Sequence, residues 1–411
     1  MLVPPPLNSI KITFGDLSLR ESGLNIFTNK RLERCEMLAY KFRIYPSGAQ
    51  EEKLLLTLNL CRFVYNWALE GLNGQEKPNL YKLKRGLPKL KEKRPELKEV
   101  HSQVLQNEVV RLYDNLKTLA ALKRNGRRVG RLRFKGRGWF KSFTHPQFGF
   151  KIENGKLVLS KVGEISIKLH REMKGKVKRL TVKRECSGRW FAIFQVEDEP
   201  KPLPRTGKAI GMDMGIKHFL SDTDGRQIEN PRFYERSLER IRVRHRQLSK
   251  KQKGSKNREK ARVKLARAYE RLVNQRDDFL HKLPRFYVNN YDVVVAEDLN
   301  IAGMAKNRNL ARKILDASWG KFLHMLTYKA ERAGRQFVKV DPRGTSQEYN
   351  HGELDRDYNA ALNILERGLV GLGRPEPTPA EMGPLLSVPA QAVIAGQVPS
   401  AKQEAPCESW E

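Results

Sequence analysis

Cysteine is scarce in this chain. Its 411 residues hold four, Cys35, Cys61, Cys186 and Cys407, far apart and none in a C-x-x-C pair. That spacing builds neither a disulfide framework nor a zinc ribbon, and it reads as isolated reduced thiols. Long apolar runs are missing too. No stretch of 18 or more apolar residues exists, so the sequence predicts no transmembrane helix. The N-terminus lacks the basic-then-apolar pattern of a secretory signal. A soluble cytoplasmic protein is the expectation, with no membrane partner. Acidic residues are the third shortage: 46 Asp and Glu stand against 79 Lys and Arg, for a formal net charge of +33. Such an excess repels itself unless a polyanion screens it. Nucleic acid is the usual screen, through phosphate contacts and counterion release. An anionic membrane surface is the competing explanation.

What is present is patterned. The length allows two or three domains with their own cores. Residues 1–36 are weakly patterned. Leu-Ala-Tyr-Lys-Phe-Arg-Ile-Tyr-Pro, after Met37, predicts a strand ended by Pro46, with Ser47 placed to cap a helix. From 48 to 74, Leu54, Leu58, Cys61, Val64, Tyr65 and Ala68 recur at helical spacing. Further helices are predicted at 89–96 and 103–124, which makes 49–125 a small helical domain. Short alternating segments between 147 and 198, separated by Gly and Asn, predict antiparallel β. With strand 38–45 they suggest a small barrel drawn from 37–48 and 126–200. The proline-rich linker at 198–207 marks a boundary.

From 208 to 370 the pattern becomes α/β. Strands are predicted at 208–214, 216–222, 291–296 and 335–341, and helices at 232–251, 256–285, 315–333 and 356–367. The long pair over 232–285 is dense in charge and reads equally well as a solvated hairpin or a basic arm lying along a duplex. The tail, 371–411, holds seven of the 21 prolines and reads as disordered.

Against this basic background three acidic segments need a reason. They are Ile-Gly-Met-Asp-Met-Gly-Ile-Lys around Asp213, Val-Val-Val-Ala-Glu-Asp-Leu-Asn around Glu297, and Leu-Asp-Arg-Asp-Tyr-Asn-Ala-Ala around Asp357. Several carboxylates converge when cations neutralise their repulsion. Two magnesium ions about 4 Å apart activate water on one side of a phosphorus and stabilise the leaving oxygen on the other. In the ribonuclease-H architecture one carboxylate ends the first strand, a second ends a neighbouring parallel strand, and a third lies on a helix packed against the sheet. The order Asp213, Glu297, Asp357 fits that arrangement. Gly211 and Gly215 read as room for metal and phosphate.

Each member also has a bland reading. A strand-end Asp often ties a turn, Glu297 competes with Asp298, and Asp357 could simply complement a helix N-terminus. Asp355 and Asp357, two residues apart, point in different directions, and Asp355 is the natural N-cap. The weight lies in the ordered trio, not in any one carboxylate.

These motifs, together with Phe-Val-Tyr-Asn-Trp-Ala at 63–68 and Asp-Ala-Ser-Trp-Gly-Lys-Phe at 316–322, resemble the TnpB family, the OrfB-type proteins of insertion sequences, similar to ancestors of type V CRISPR nucleases. The resemblance runs from about Met37 to Arg367. It implies a multidomain α+β and α/β protein: a β-barrel wedge domain with an inserted helical recognition domain, followed by a ribonuclease-H-like RuvC domain over 207–370. It further implies a guide RNA from the transposon end, double-stranded target DNA with a short flanking motif, and magnesium-dependent cleavage. Asp213, Glu297 and Asp357 would hold two Mg2+ ions. Residues 1–36 precede the usual family start, and Met37 is a second candidate initiator.

One departure stands out. Family members usually carry a four-cysteine zinc ribbon between a Thr-Ser-Gln segment and the last catalytic Asp. Here Thr345-Ser346-Gln347 is followed by only Glu-Tyr-Asn-His-Gly-Glu before Leu-Asp-Arg-Asp, and His351 alone cannot replace the ribbon, so no zinc is expected. Two alternatives therefore stand beside a nuclease: a guided RNA- and DNA-binding protein with weakened or lost cleavage, and a strand-transferring transposase. For nucleic-acid contacts, the stretch with Arg127, Arg128, Arg131, Arg133, Lys135, Arg137, Trp139, Phe140 and Lys141 offers cations for phosphates and rings for bases. Tyr65, Asn66, Gln103 and Asn107 sit on helices where motif-reading contacts are expected, although helical spacing favours the core for the aromatic rings.

Overall fold

The computed structural model describes residues 25–27, 36–73, 79–345, 355–373 and 385–398. The chain forms two compact units. One comprises Arg34–Glu199 with Arg244–Arg267, the other Met1–Glu33, Pro200–Val243 and Ala268–Glu411.

After a short strand, β1 (Asn25–Phe27), strand β2 (Glu36–Tyr45) leads into helix α1 (Gly48–Asn73). The helix starts in a capping box, because Gln50 N donates to Ser47 Oγ at 3.4 Å and Ser47 N to Gln50 Oε1 at 2.9 Å. Its predicted apolar stripe, from Leu54 to Ala68, is buried. Helix α2 (Leu80–Lys93) differs from the prediction of 89–96. It begins behind the N-cap Asn79, runs through Pro88 and buries Leu83, Leu87 and Leu90. Pro88 looks like a helix start in the sequence, but leucine packing on both sides carries the helix across it. A 3-10 turn at Pro95–Glu99 and helix α3 (Ser102–Arg124) follow.

The strands β3 (Ser142–His145), β4 (Phe150–Glu153), β5 (Lys156–Leu159), β6 (Gly163–Lys168), β7 (Lys176–Arg184) and β8 (Trp190–Asp198) complete this unit's sheet. The order is β3-β7-β8-β2-β6-β5-β4, antiparallel throughout. Because β2 pairs along its length with β8, the helices between them are an insertion in a β-domain. Burial alternates along β8 from Trp190 to Val196, as expected of a strand with one face on a core. The sheet is barrel-like, and among the described residues β3 and β4 remain its unpaired edges.

The other unit contains β9 (Ala209–Asp213), β10 (His218–Asp222), β11 (Arg226–Glu229) and the start of α4 (Phe233–Ser249). It continues with most of α5 (Lys256–Asn290), then β12 (Val293–Glu297), the short helices α6 (Ile301–Met304) and α7 (Ala311–Ala317), α8 (Trp319–Arg332) and β13 (Gln336–Val340). Helix α9 (Arg356–Val370), β14 (Leu386–Val388) and α10 (Ala390–Ala395) close the chain's described part. The sheet order is β1-β13-β12-β9-β10-β11-β14. Strands β9, β12 and β13 are parallel, while β10 runs antiparallel to both β9 and β11.

Three parts of this unit differ from the sequence expectation, one being the helix predicted over 315–333, which is broken at Ser318 (φ +59°) into α7 and α8. Strand β11 reads Arg-Gln-Ile-Glu, too short and polar to show alternation, yet its Arg226 is 1% exposed. The tail is also corrected: β14 pairs in parallel with β11, and Val388 and Val393 are buried. A local run of apolar residues, Leu385 to Val388, lets this piece of an otherwise polar tail extend an open sheet edge. Residues 374–384 and 399–411 lie outside the described residues, as do 1–24, 28–35, 74–78 and 346–354, the last including His351. Among the described residues no helix is long and apolar enough to cross a membrane.

Candidate active site

Asp213 ends β9 and Glu297 ends β12, and the two strands are parallel neighbours in register, with Ala296 opposite Met212. The two carboxylates therefore leave the same edge of the sheet one strand apart, a spacing of about 4.8 Å. Alternation along a strand puts Asp213 on the face of Gly211, and Glu297 on the face of Val295. Helix α9 covers that face. A Cβ on Gly211 would stand 2.3 Å from the Ala361 carbonyl oxygen and 2.8 Å from Leu365 Cβ. A Cβ on Gly368 would stand 2.5 Å from Val295 Cγ1. The absence of two side chains thus seats the helix on the sheet. Asp357, one turn before Ala361, is carried towards the ends of β9 and β12. Gly211 makes room for α9 rather than for metal or phosphate, which corrects the sequence reading. At Gly215 the nearest atom to such a Cβ is the His218 oxygen, 3.2 Å away.

The electrostatics register this convergence. Burial pushes the Asp213 carboxyl up to about 7, and the charges of Glu297 and Asp357 push the same way. Glu297, 7% exposed, is raised chiefly by burial, opposed by a hydrogen bond from Thr345 and by the Arg367 charge. The Thr345 hydroxyl donates to Glu297 Oε1 at 2.5 Å, and Asn363 of α9 donates from Nδ2 to the Thr345 carbonyl at 2.8 Å. Thr345 and Asn363 thus orient Glu297, a role not read from the sequence. The Thr-Ser-Gln segment is visible there, but only as a landmark. Among the described residues no three His, Cys, Asp or Glu side chains stand close enough, as placed, to hold one ion.

The neighbouring acids have other partners. Asp298 Oδ1 pairs with Lys339 Nζ at 2.9 Å. Asp355 is the N-cap of α9, accepting from the backbone N–H groups of Asp357 and Tyr358. Asp316, in the Asp-Ala-Ser-Trp segment, caps α4 by accepting from Tyr234 N at 2.9 Å and pairs with Arg276 Nη2 at 2.8 Å.

The candidate nucleic-acid residues divide. Arg127, Arg128, Arg131, Arg133, Lys135 and Arg137 lie in or beside an irregular stretch between α3 and β3, and Trp139 is 79% exposed. Phe140 and Tyr65 are 8% and 1% exposed, their rings packed together 5.9 Å apart, so neither is free to stack on a base. Asn66 donates to the Lys135 carbonyl at 3.1 Å and accepts from Lys135 N at 2.8 Å. It anchors the basic stretch instead of facing a base. Gln103 Oε1 accepts from Phe148 N at 3.3 Å, and Lys141 Nζ lies 2.9 Å from Cys186 Sγ.

Comparison with known proteins bears on this arrangement. A family model described as "Probable transposase", for OrfB proteins of IS605-type elements, matches residues 193–308. A helix-turn-helix model of the same OrfB group matches 37–75, which here fold as strand β2 followed by α1. A Cas12f1-like TNB-domain model matches 319–364. The class is thus that of transposon-encoded OrfB-type proteins. A Streptomyces pristinaespiralis protein named "Putative RNA-guided DNA endonuclease" is 34% identical over 80% of this chain and 89% of its own length. InsQ of Escherichia coli K12, of the same description, is 32% identical over 75% and 81%. The chain belongs to the TnpB family. The Cas12f1 endodeoxyribonuclease of Sulfoacidibacillus thermotolerans is 24% identical over 43% of this chain and half of its own. A cryo-EM structure of a Cas12f1–sgRNA–target DNA complex aligns over 80% of this chain and 98% of that one, with 13% identity and a TM-score of 0.47.

Proposed function

We propose that this chain is a transposon-encoded, RNA-guided DNA endonuclease whose cutting centre is built from Asp213, Glu297 and Asp357. The observation that carries the reading is the perturbed Asp213 carboxyl, pushed up to about 7 by burial and by the two other acids from β12 and α9. Three acids on three elements, with Glu297 and Asp357 both raising the Asp213 carboxyl, are the donor chemistry that a divalent cation stabilises. The strand order β13-β12-β9-β10-β11, with β10 antiparallel and a helix across one face, supports the reading of a ribonuclease-H-like, RuvC-type domain. The family membership and the names of the 34% and 32% identical relatives support the guided-nuclease assignment.

As carboxylate oxygen donors, Asp213, Glu297 and Asp357 suit magnesium and would be the residues that hold it. When bound, magnesium supplies an activated water and stabilisation of the leaving oxygen in phosphodiester hydrolysis. The chain itself fixes the direction of each carboxylate. Thr345 holds one oxygen of Glu297 and leaves the other free. Asp355, as N-cap, fixes the first turn of α9 and so the position of Asp357. The guide RNA would select sequence by pairing, and the protein would read a short flanking motif on the target duplex.

Asp213→Ala tests this directly. Cleavage of a guide-matched duplex in magnesium should fall below detection while RNA binding stays within about twofold. Undiminished cleavage by the variant would remove Asp213 from the mechanism. Guided DNA binding without cleavage by the unaltered protein would favour a binding module instead. Strand transfer without RNA would favour a transposase.

A further inference from the structure

One cleft in the unit that carries Asp213 lies apart from the three carboxylates. It is an open cleft of about 510 Å3 lined by Lys217, Glu229, Asn230, Arg232, Glu235 and Arg236. It lies at the β9–β10 turn and the end of β11. Ser221 pairs with Asp213 and His218 with Glu229, so the cleft's floor stands three residues further along β10 from Asp213. At about 3.4 Å per residue that is roughly 10 Å, beyond the same edge of the sheet.

The cleft is built rigidly. Asn230, 6% exposed, donates from Nδ2 to the Ile216 carbonyl at 3.1 Å and accepts from Arg232 N at 3.2 Å. One buried amide therefore fixes both the turn that bears Lys217 and the backbone of Arg232. Arg232 has φ +44°, a left-handed conformation costly for a long side chain. Arg232 is exposed and lines the cleft. Glu229 does not neutralise it. One of its oxygens accepts from Arg236 Nη2 at 3.3 Å and the other from Ala390 N at 3.1 Å. The N-terminus of α4, at the cleft's side, is already occupied by Asp316. Lys217 and Arg232 are left facing solvent against the single carboxylate of Glu235.

We infer that this cleft is a phosphate subsite: Lys217 and Arg232 grip a backbone phosphodiester of the DNA strand that runs on to Asp213, a short distance from the bond to be cut. The inference rests on the reading of Asp213 as the cleavage point. A guanidinium and an ammonium on a preorganised turn suit a phosphate's oxygens, and the contact carries no base preference. The cleft would set the strand's register relative to the carboxylates.

The test uses RNA-loaded protein carrying Asp213→Ala, so that binding is read without cleavage, and a labelled single-stranded DNA as probe. Lys217→Ala and Arg232→Gly are the variants; glycine accepts the positive φ, so the fold is relieved rather than strained. Each should weaken DNA binding by up to about fivefold, the worth of one exposed ion pair, and lower the log–log salt slope by about one. Arg232→Lys should retain most of the affinity. Guide RNA affinity should not change. An unaltered DNA salt slope overturns the subsite, and so does a slope that falls for RNA instead of DNA. If Asp213→Ala fails to stop cleavage, the catalytic reading falls separately, because the subsite is judged by binding alone.

Discussion

Glu108 lies in the core of the helical insertion with none of its surface exposed. Its Oε2 stands 3.5 Å from Arg111 Nη1, a marginal contact, and its Oε1 has no hydrogen-bond partner. Burial outweighs the arginine and pushes the carboxyl up to about 7 from 4.5. The sign comes from linkage: the folded state holds a proton that the unfolded state releases above about pH 4.5. The stability linked to that proton is complete below 4.5 and is lost as the pH rises through 7. The raised value corresponds to about 3 kcal/mol. Glu108→Gln should therefore unfold at a higher temperature than the parent at pH 8 and at a similar one at pH 5, in paired thermal melts. A parent melt that is flat from pH 5 to 8 would contradict the assignment. The same core explains why Tyr65, one turn from Cys61, packs inward and cannot read a base.

At the scale of elements, the candidate centre depends on how α9 lies on the sheet, and Gly211 is the tightest point of that contact. Glycine-to-alanine changes at compatible sites usually stabilise by about 0.4–1 kcal/mol, through the unfolded chain. Gly211→Ala should do the opposite, since the added carbon meets the Ala361 carbonyl oxygen. The cost expected of overpacking is about 1–3 kcal/mol, and the displaced helix would take Asp357 with it. Melting temperature and cleavage should both fall, cleavage by tenfold or more. Gly48→Ala, where nothing lies within 4 Å of the new carbon, serves as the unobstructed control and should hold or slightly raise the melting temperature. Equal activity of Gly211→Ala and the parent would show that α9 does not set the centre.

The acidic trio is legible because Val-Val-Val-Ala and Ala-Ile-Gly-Met are apolar through to their last residue, so a carboxylate after each is conspicuous. What holds it is not. Gly211 and Gly368 matter through atoms far away in the chain, and Thr345 through a hydroxyl that no spacing rule reveals. Strand β11 escapes because its buried face carries Arg226, paired through Nε with Asp222 Oδ2 at 2.8 Å, where the pattern looks for an apolar residue. Helix α2 departs from its predicted range because Pro88 reads as a boundary.

The whole molecule carries 33 more positive than negative charges. Its described ion pairs include exposed ones such as Arg94–Glu96 and Lys151–Glu153, which contribute little. Buried ones such as Arg226–Asp222 are scarcely screened by salt. What salt acts on is the unpaired excess, spread over the surface at separations comparable with the Debye length of about 10 Å at 0.1 M. Self-repulsion of that excess favours the expanded chain, so added salt should stabilise the RNA-free protein. Its melting temperature should rise between about 50 and 200 mM NaCl, the reverse of what surface ion pairs alone would give. A polyanion at low salt should raise it further by binding the folded state. Saturating guide RNA should then flatten the dependence, because the excess is neutralised before salt is added. A melting temperature that falls with salt in the free protein would mean that attractive pairs dominate, and that the charge serves association without straining the fold.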